Sequence, residues 1–570
     1  MASPACGPAP STCFALPASR SRRRTREEGA PRTRSPTDVP SVAGTRVKSR
    51  ACHWQGMEER GLMRLLRETH GRPRRWHYLG ALLVVALVVA GCGSSSSSSS
   101  SSSGSSSSSS SSSSAAAPTT SLSGGEPIQK AVAPRTGTGT PIKIAVMSDC
   151  QGAFGSFDNQ DLAGVVSAIS QFAGGKPVNP ALPRAGWTGG AIGNHPLKLV
   201  GVGCSNDSAD TVIRETRRLM EQDGADIMIG PLSGDESIAV ANYAKQHPTK
   251  TFVDGAAGAQ DTTLKVQAPN FFRFNGDGAM WNAGLGDLAF NKLHWKTAAV
   301  ISDDYSFGWT STAGFIADFC AAGGQITKRI FPPLNTTDYS SYAQQVPTNV
   351  DGYFVAVGGS GLIPFLKAYE QAHGPIDGKK FIGNLFWGTP GLFESLGPRV
   401  AGAYVGGAGT AGDLATPAAQ DYANNIIGHW FKTIPPGGPA AAQAASTFTY
   451  GYYINTWGLL KGLEAVKGDI SGGQKALQAA IGKASLPAPY GPITLDANRQ
   501  GIITSYYQQL FLKGGKLAVK TVASIPNVNQ TFGGTFSGST PAPGRTFPNC
   551  VKRSLPWQGK EASVPVVGGG

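Results

Sequence analysis

The sequence predicts an α/β protein in two lobes, each organised around a parallel sheet. Three observations lead there. From about residue 141 onward, short apolar runs alternate with stretches of helical apolar spacing, the pattern of right-handed βαβ units. The segment 141–570 also exceeds the roughly 250 residues that one α/β core usually spans. Finally, Gly is frequent, at 75 of 570 residues, and charged residues are only 15%, which suits a compact chain with many tight turns.

Each element follows from local pattern. Lys143–Met147 is a short apolar run bounded by turn residues, which reads as a buried strand. Further strands are expected at 197–202, 225–229, 251–253, 297–301, 352–357 and 380–382. Between them, residues 159–173 place Leu162, Val165, Val166, Ile169 and Phe172 on one helical face. Helices are likewise expected at 210–223, 237–246, 281–293, through Phe315, Ile316 and Phe319, and at 362–373. The last third changes character: helices at 417–434 and 447–466, then a hairpin-like stretch over 490–512, with Gly514-Gly515 as a turn before 517–522. Residues 533–570, rich in Gly and Pro, read as irregular.

The net charge of +14 sits mainly in the leader. Residues 1–91 hold 16 Lys and Arg against 6 Asp and Glu, leaving 34 against 30 in the rest. The folded part therefore shows no basic stripe for a phosphate backbone, and nucleic-acid binding is not expected. Residues 79–90, LGALLVVALVVA, form an uncharged run of 12. That is short for a membrane span, which needs about 20 residues, but suits the apolar region of a signal peptide. Arg64, Arg67, Arg72, Arg74 and Arg75 precede it, and Val89-Ala90-Gly91-Cys92 follows. This quartet resembles a bacterial lipobox, which implies cleavage before Cys92 and acylation of its thiol. A short buried helix ending in a chance cysteine is the plainer alternative. Residues 1–56 lack an apolar period, so translation is expected from Met57 or Met63; cellular peptides from 1–50 would contradict that. A Ser tract then runs to Ser114, too polar to bury a core and suited to a tether up to about residue 140.

The opening PIKIAVMSDCQGAFGSFDNQDLAG, then IMIGPLSGDES (227–237), NFFRFNGDG (270–278), AAVISDDYSFGWTSTAGF (298–315), AAGGQI (321–326) and TTDYSSYAQQV (336–346) resemble the ordered stations of Leu/Ile/Val-type periplasmic binding proteins. GPITLDANRQG (491–501) resembles the family's closing hairpin. The resemblance covers about 141–530. It implies the type I fold: two Rossmann-like lobes with parallel sheets joined by a three-crossing hinge, closing on ligand. Lobe 1 would take 141–266 and 392–484; lobe 2 would take 267–391 and 485–550; residues 551–570 would be a flexible tail. It also implies extracytoplasmic placement on the outer face of the cytoplasmic membrane. The implied partners are a small-molecule ligand and the permease and ATPase of an ABC importer. The same fold also serves as the ligand-sensing domain of receptors, a second reading.

The resemblance places ligand contacts on loops after the third and fourth strands, here Ser233-Gly234-Asp235 and Gly255-Ala256-Ala257-Gly258. Backbone N–H groups at helix N-termini suit a carboxylate, while Ser233 also fits as the N-cap of the helix beside it. In lobe 2 it points to Phe307, with Trp309 nearby, and to the loop holding Phe386 and Trp387; some of these rings would be core instead. Gln151–Phe157 and Gly358-Gly359-Ser360 are lesser candidates. Amino-acid binders of the family hold the ligand ammonium with a lobe 2 carboxylate. The stretch Gly383–Gly388 has none, and a buried ammonium without a charge partner is costly. An aromatic or apolar carboxylate, or an amide, is expected instead.

Cys150, Cys204, Cys320 and Cys550 allow three pairings in an exported chain. Cys150 and Cys204 each follow one of the first two strands, expected sheet neighbours, so they are paired, and Cys320 with Cys550 by remainder. No catalytic residues, metal ligands or cofactor loop are expected: the histidines lack HExxH spacing, and no Walker loop or GxSxG elbow occurs.

Overall fold

The computed structural model describes residues 130–407, 416–435 and 438–563. Residues 1–56, the signal segment, Cys92 and most of the tether lie outside them. The first sheet is built around β1 (Ile142–Asp149). It pairs in parallel with β2 (His195–Ser205) on one side and β3 (Ile227–Ile229) on the other. Strands β4 (Thr251–Val253) and β5 (Phe271–Phe272) extend it in parallel, and a short strand, Ala191–Ile192, folds back on β2. Ile144, Val146, Ile227, Ile229 and Phe252 are fully buried, as expected of parallel strands covered on both faces. The covering helices include α1 (Asp158–Ala173), α2 (Ala209–Arg217) and α3 (Gly234–Gln246). Helix α1 stops because Gly174 adopts φ +73°, and its N–H closes back onto Ile169 O.

The second sheet starts with β6 (Thr297–Ser302), flanked in parallel by β7 (Gln325–Ile330) and β8 (Gly352–Ala356). Strands β9 (Phe381–Gly383) and β10 (Tyr404–Gly407) continue in parallel. Helices α4 (Ser306–Ala322) and α5 (Leu362–His373) belong to this lobe. The chain then returns to the first lobe, where α6 (Thr447–Ala465) lies along α1. Gly164 makes that crossing: a Cβ there would stand 2.3 Å from Thr449 O. Stacking of Phe172 on Trp457, centroids 4.7 Å apart, fixes the far end. The chain goes back once more to form the antiparallel hairpin β11 (Gly501–Lys513) and β12 (Lys516–Val528), which joins β10. Two of the three crossings run side by side, with Arg273 N–H donating to Arg499 O (3.0 Å) and Gly501 N–H to Arg273 O (2.6 Å).

Several expected boundaries shift. Strand Tyr404–Gly407 belongs to the second sheet, not to lobe 1 from residue 392, because it pairs with β9 and with Tyr506–Gln509 of β11. Phe271–Phe272 completes the first sheet, so lobe 2 begins later than residue 267. The second sheet is mixed, since its last strands are antiparallel. The tail is not free over 551–563. Trp557 is buried, with its indole N–H donating to Asp318 Oδ1 at 3.1 Å, and Ala562–Ser563 pairs with β12. At the other end, the expected tether is already docked from Val132, whose N–H donates to Gln171 O at 3.0 Å. The expected helices at 281–293 and 417–434 are broken into short pieces. Within the expected hairpin-like stretch from 490, Thr494–Leu495 pairs antiparallel with Gly501–Ile502 ahead of the long hairpin β11–β12. Cys150 is bonded to Cys204 and Cys320 to Cys550, each with Cα atoms 5.1 Å apart.

Candidate ligand-binding site

The chain after β3 turns at once into α3, and the chain after β6 turns into α4. Their N-termini meet between the lobes. A Cβ on Gly234, the first residue of α3, would stand 2.6 Å from Ser306 Oγ and 3.0 Å from Phe307 N. Asp235 Oδ1 accepts the Ser306 N–H at 3.1 Å, a bond from one lobe to the other. Two positive helix ends thus converge on one point.

Around that point is a cavity of about 290 Å³, walled by Ser233, Gly234, Ala256, Gly258, Tyr305 and Phe307 with rings from both lobes. Those rings are Phe154, Trp281, Phe386 and Phe448. Phe154 stacks on Phe386 at 5.6 Å, Phe307 meets Phe386 edge-on at 6.2 Å, and Trp281 lies 5.9 Å from Phe307. Gly258 is held to hydrogen by this wall: a Cβ would stand 2.6 Å from Phe307 Cδ2 and 2.7 Å from Trp281 Cζ3. No charged side chain is among the lining residues. Ser233 is 2% exposed, and its hydroxyl neither caps α3 nor finds another partner among the described residues. The Ser306 hydroxyl is likewise buried and unpartnered. Two orphan hydroxyls beside two helix N-termini can receive an anion, and the rings can receive a flat apolar body.

Charge lies just behind the walls. The Asp207 main-chain N–H reaches Asp149 Oδ1 at 3.5 Å, and Asp207 Oδ2 accepts the Ala153 N–H at 2.6 Å. Ser205 Oγ bonds to Glu236 Oε1. In lobe 2, Asp303 Oδ2 accepts the Gly358 N–H at 2.8 Å. Burial, then the charge of Asp149, pushes Asp207 up to about 9. Burial pushes Asp303 up to about 8 and Glu236 up to about 7, and holds Asp149 well above the usual carboxylate range. Near neutrality Asp207 and Asp303 therefore carry protons.

Of the residues expected at the site, the structure brings Ser233, Gly234, Ala256, Gly258 and Phe307 to one cavity. Asp235 stands beside it, its carboxylate turned to the α4 N-terminus. Trp309 and Trp387 do not line it. Trp309 is half-buried, with its indole N–H on Asp304 Oδ1 at 2.9 Å. Trp387 is fully buried against Phe381, seated over Gly383. Phe154 and Phe386 fall in loops the sequence marked, but Trp281, Thr447 and Phe448 were missed. Trp281 read as the start of a helix, and nothing in the pattern of 446–450 separates a cleft ring from a core ring. Among the described residues, no group of three or more His, Cys, Asp or Glu is arranged for a metal ion, and no helix is long and apolar enough to cross a membrane.

A family profile described as "Periplasmic binding protein" matches residues 141–516. The Leu/Ile/Val-binding protein homolog 6 of Brucella melitensis is 24% identical over 294 residues, covering 51% of this chain and 71% of that protein. Among solved structures, an ABC transporter substrate-binding protein from Sphaerobacter thermophilus superposes with a TM-score of 0.57 at 22% identity, over 68% of this chain and 99% of that one. A solute-binding protein of an R. palustris ABC transporter, in complex with benzoate, gives 0.55 at 22% identity, over 67% and 96%.

Proposed function

This chain belongs to the periplasmic binding protein family, and from that premise we propose that it holds a small aromatic monocarboxylate between its lobes and delivers it to the permease and ATPase of an ABC importer. It does so outside the cytoplasmic membrane, tethered by an acylated Cys92. One observation carries the choice of ligand: a ring-walled cavity at two converging helix N-termini, lined by the orphan Ser233 hydroxyl and by no charged side chain, with the orphan Ser306 hydroxyl next to Gly234. The carboxylate would sit at the helix ends and the ring among Phe154, Trp281, Phe307 and Phe386. The benzoate bound by the R. palustris protein is a ligand of this kind. An α-amino acid fits worse, because its ammonium would meet no ionised partner in the lining.

Calorimetric titration of the purified chain with benzoate, 4-hydroxybenzoate and leucine tests this. Binding of at least one benzoate is expected, with a stabilisation of about 2.7 kcal/mol at one hundred times its dissociation constant. Tight leucine binding with none for either benzoate would refute the assignment.

A further inference from the structure

After β12 the chain leaves the second lobe once more. Gln530 reaches the first lobe between β4 and β5: its main-chain O accepts the Gln260 side-chain amide at 2.9 Å, and its Oε1 accepts the Thr263 hydroxyl at 3.0 Å. Residues 537–540 then fold over Lys265, whose ammonium donates to Ser537 O at 2.9 Å, Gly538 O at 3.1 Å and Thr540 O. From there the chain returns to the second lobe. Arg545 Nε donates to Asp304 Oδ1 at 2.8 Å, next to the cleft residue Tyr305. Pro548 O accepts from Arg329 at 2.6 Å, and Cys550 closes the disulfide to Cys320 of α4. No part of this segment lies within 141–516, the residues that the family profile matches.

The segment is fixed to the second lobe at both ends, by the pairing of Val528 with Ile503 and by the covalent bond at Cys550. Its middle is fixed to the first lobe. That middle is not free to follow Lys265: Phe532 and Phe536 are buried against Trp557 and Phe547, and Trp557 is held by Asp318 of α4. Hinge opening that draws Lys265 away from the second lobe must therefore break the contact at 537–540. An ammonium spends all three of its donors there, and hydrogen bonds from a charged group are the stronger kind.

We propose that residues 529–550 are an interlobe strap, a further tie beside the three crossings, with Lys265 as its catch. The strap holds the cleft closed before any ligand enters, and it slows the escape of whatever the cleft contains. By biasing the chain toward the closed arrangement, it raises the affinity for any ligand that prefers that arrangement. The strap does not depend on the cleft ligand being an aromatic carboxylate.

Two main-chain bonds report on opening directly. The Ser306 N–H donates to Asp235 Oδ1 and the Ser360 N–H to Ala153 O, each from the second lobe to the first. The test is hydrogen exchange on the full chain without ligand, read by mass spectrometry with residue-resolving fragmentation. In the unaltered chain both amides should be protected. Lys265→Met, which keeps the stem and removes the donors, should speed exchange at both about tenfold or more, the low end for a hydrogen bond to a charged group. Amides inside β1 and β6, bonded within one lobe, should not change. Cys550→Ser, which frees the returning end, should speed the same two amides, and should add little in the K265M chain, since one strap is released only once. The proposal falls if the two amides are unprotected in the unaltered chain, if K265M leaves their rates alone, or if the amides of β1 and β6 speed up equally. No readout involves benzoate, so failure here and failure of the cleft assignment are separate results.

Discussion

Asp207→Asn isolates the buried acid chain behind the first-lobe wall. Asp207 is 7% exposed and holds the Ala153 N–H, just ahead of Phe154 in the cleft. Its folded value of about 9 stands far above the ordinary 3.8. Between those two values the folded chain keeps a proton that the unfolded chain has released. The contribution of this proton to stability is fully present below about pH 4 and is lost progressively as pH rises toward 9. The slope is about 1.4 kcal/mol per pH unit for one proton, so about 4 kcal/mol disappears between pH 5 and 8. Asparagine has the same shape, still accepts from Ala153 N–H and does not titrate. Urea unfolding at 25 °C across pH 5–8 should therefore give a stability profile for D207N that is shallower than that of the unaltered chain by about 1.4 kcal/mol per unit. The residual slope comes from Glu236, Asp149 and Asp303, each raised first by burial and each also interacting with Asp207. Parallel profiles would mean that Asp207 is already ionised in the folded chain, and the argument would fail.

Two further changes act on the cleft and on the anchor. Gly258→Ala puts a methyl group 2.6 Å from Phe307 Cδ2 and 2.7 Å from Trp281 Cζ3; overpacking of this size costs about 1–3 kcal/mol, so calorimetry should show benzoate binding weakened tenfold to a hundredfold. Cys92→Ser removes the proposed acylation site, and fractionation should find the chain released from the membrane, since anchoring rests on acyl chains; retention at the membrane would point to another anchor.

How much was legible depends on what kind of burial a segment has. Strands such as Ile144–Met147 and Ala298–Ile301 are covered on both faces, so they read as unbroken apolar runs. Leu362–His373 carries its helix in its own spacing. Tyr404–Gly407 does not: two glycines end it, and only pairing with β9 and β11 makes it a strand. The cysteine pairing was readable because neighbouring parallel strands bring their ends together, and β1 does lie beside β2. The rings were harder. Phe386 and Trp387 are adjacent in one short turn, Leu385–Gly388, yet Phe386 lies over Gly358 toward the cleft while Trp387 fills the notch left by Gly383. Both are aromatic and both are buried. Only the glycine beneath each decides which one faces the cleft, and no local pattern pairs a ring with a glycine on another strand.

The sequence excluded an ammonium because the loop Gly383–Gly388 contains no acid. The structure brings acids close by another route: Asp207, Asp149 and Glu236 behind the first lobe's wall, and Asp303 behind the second's. Composition alone would then permit a cation. What disfavours it is charge state. Burial keeps Asp207 and Asp303 protonated near neutrality, so the lining offers helix ends and hydroxyls to an anion with two fewer negative charges behind it, the Asp235 carboxylate being taken up by the Ser306 N–H. As pH rises through about 8 and 9, Asp303 and then Asp207 acquire charge behind the ligand, and affinity for a carboxylate must fall. An affinity that holds constant or grows over that range would return the cleft to the amino acids.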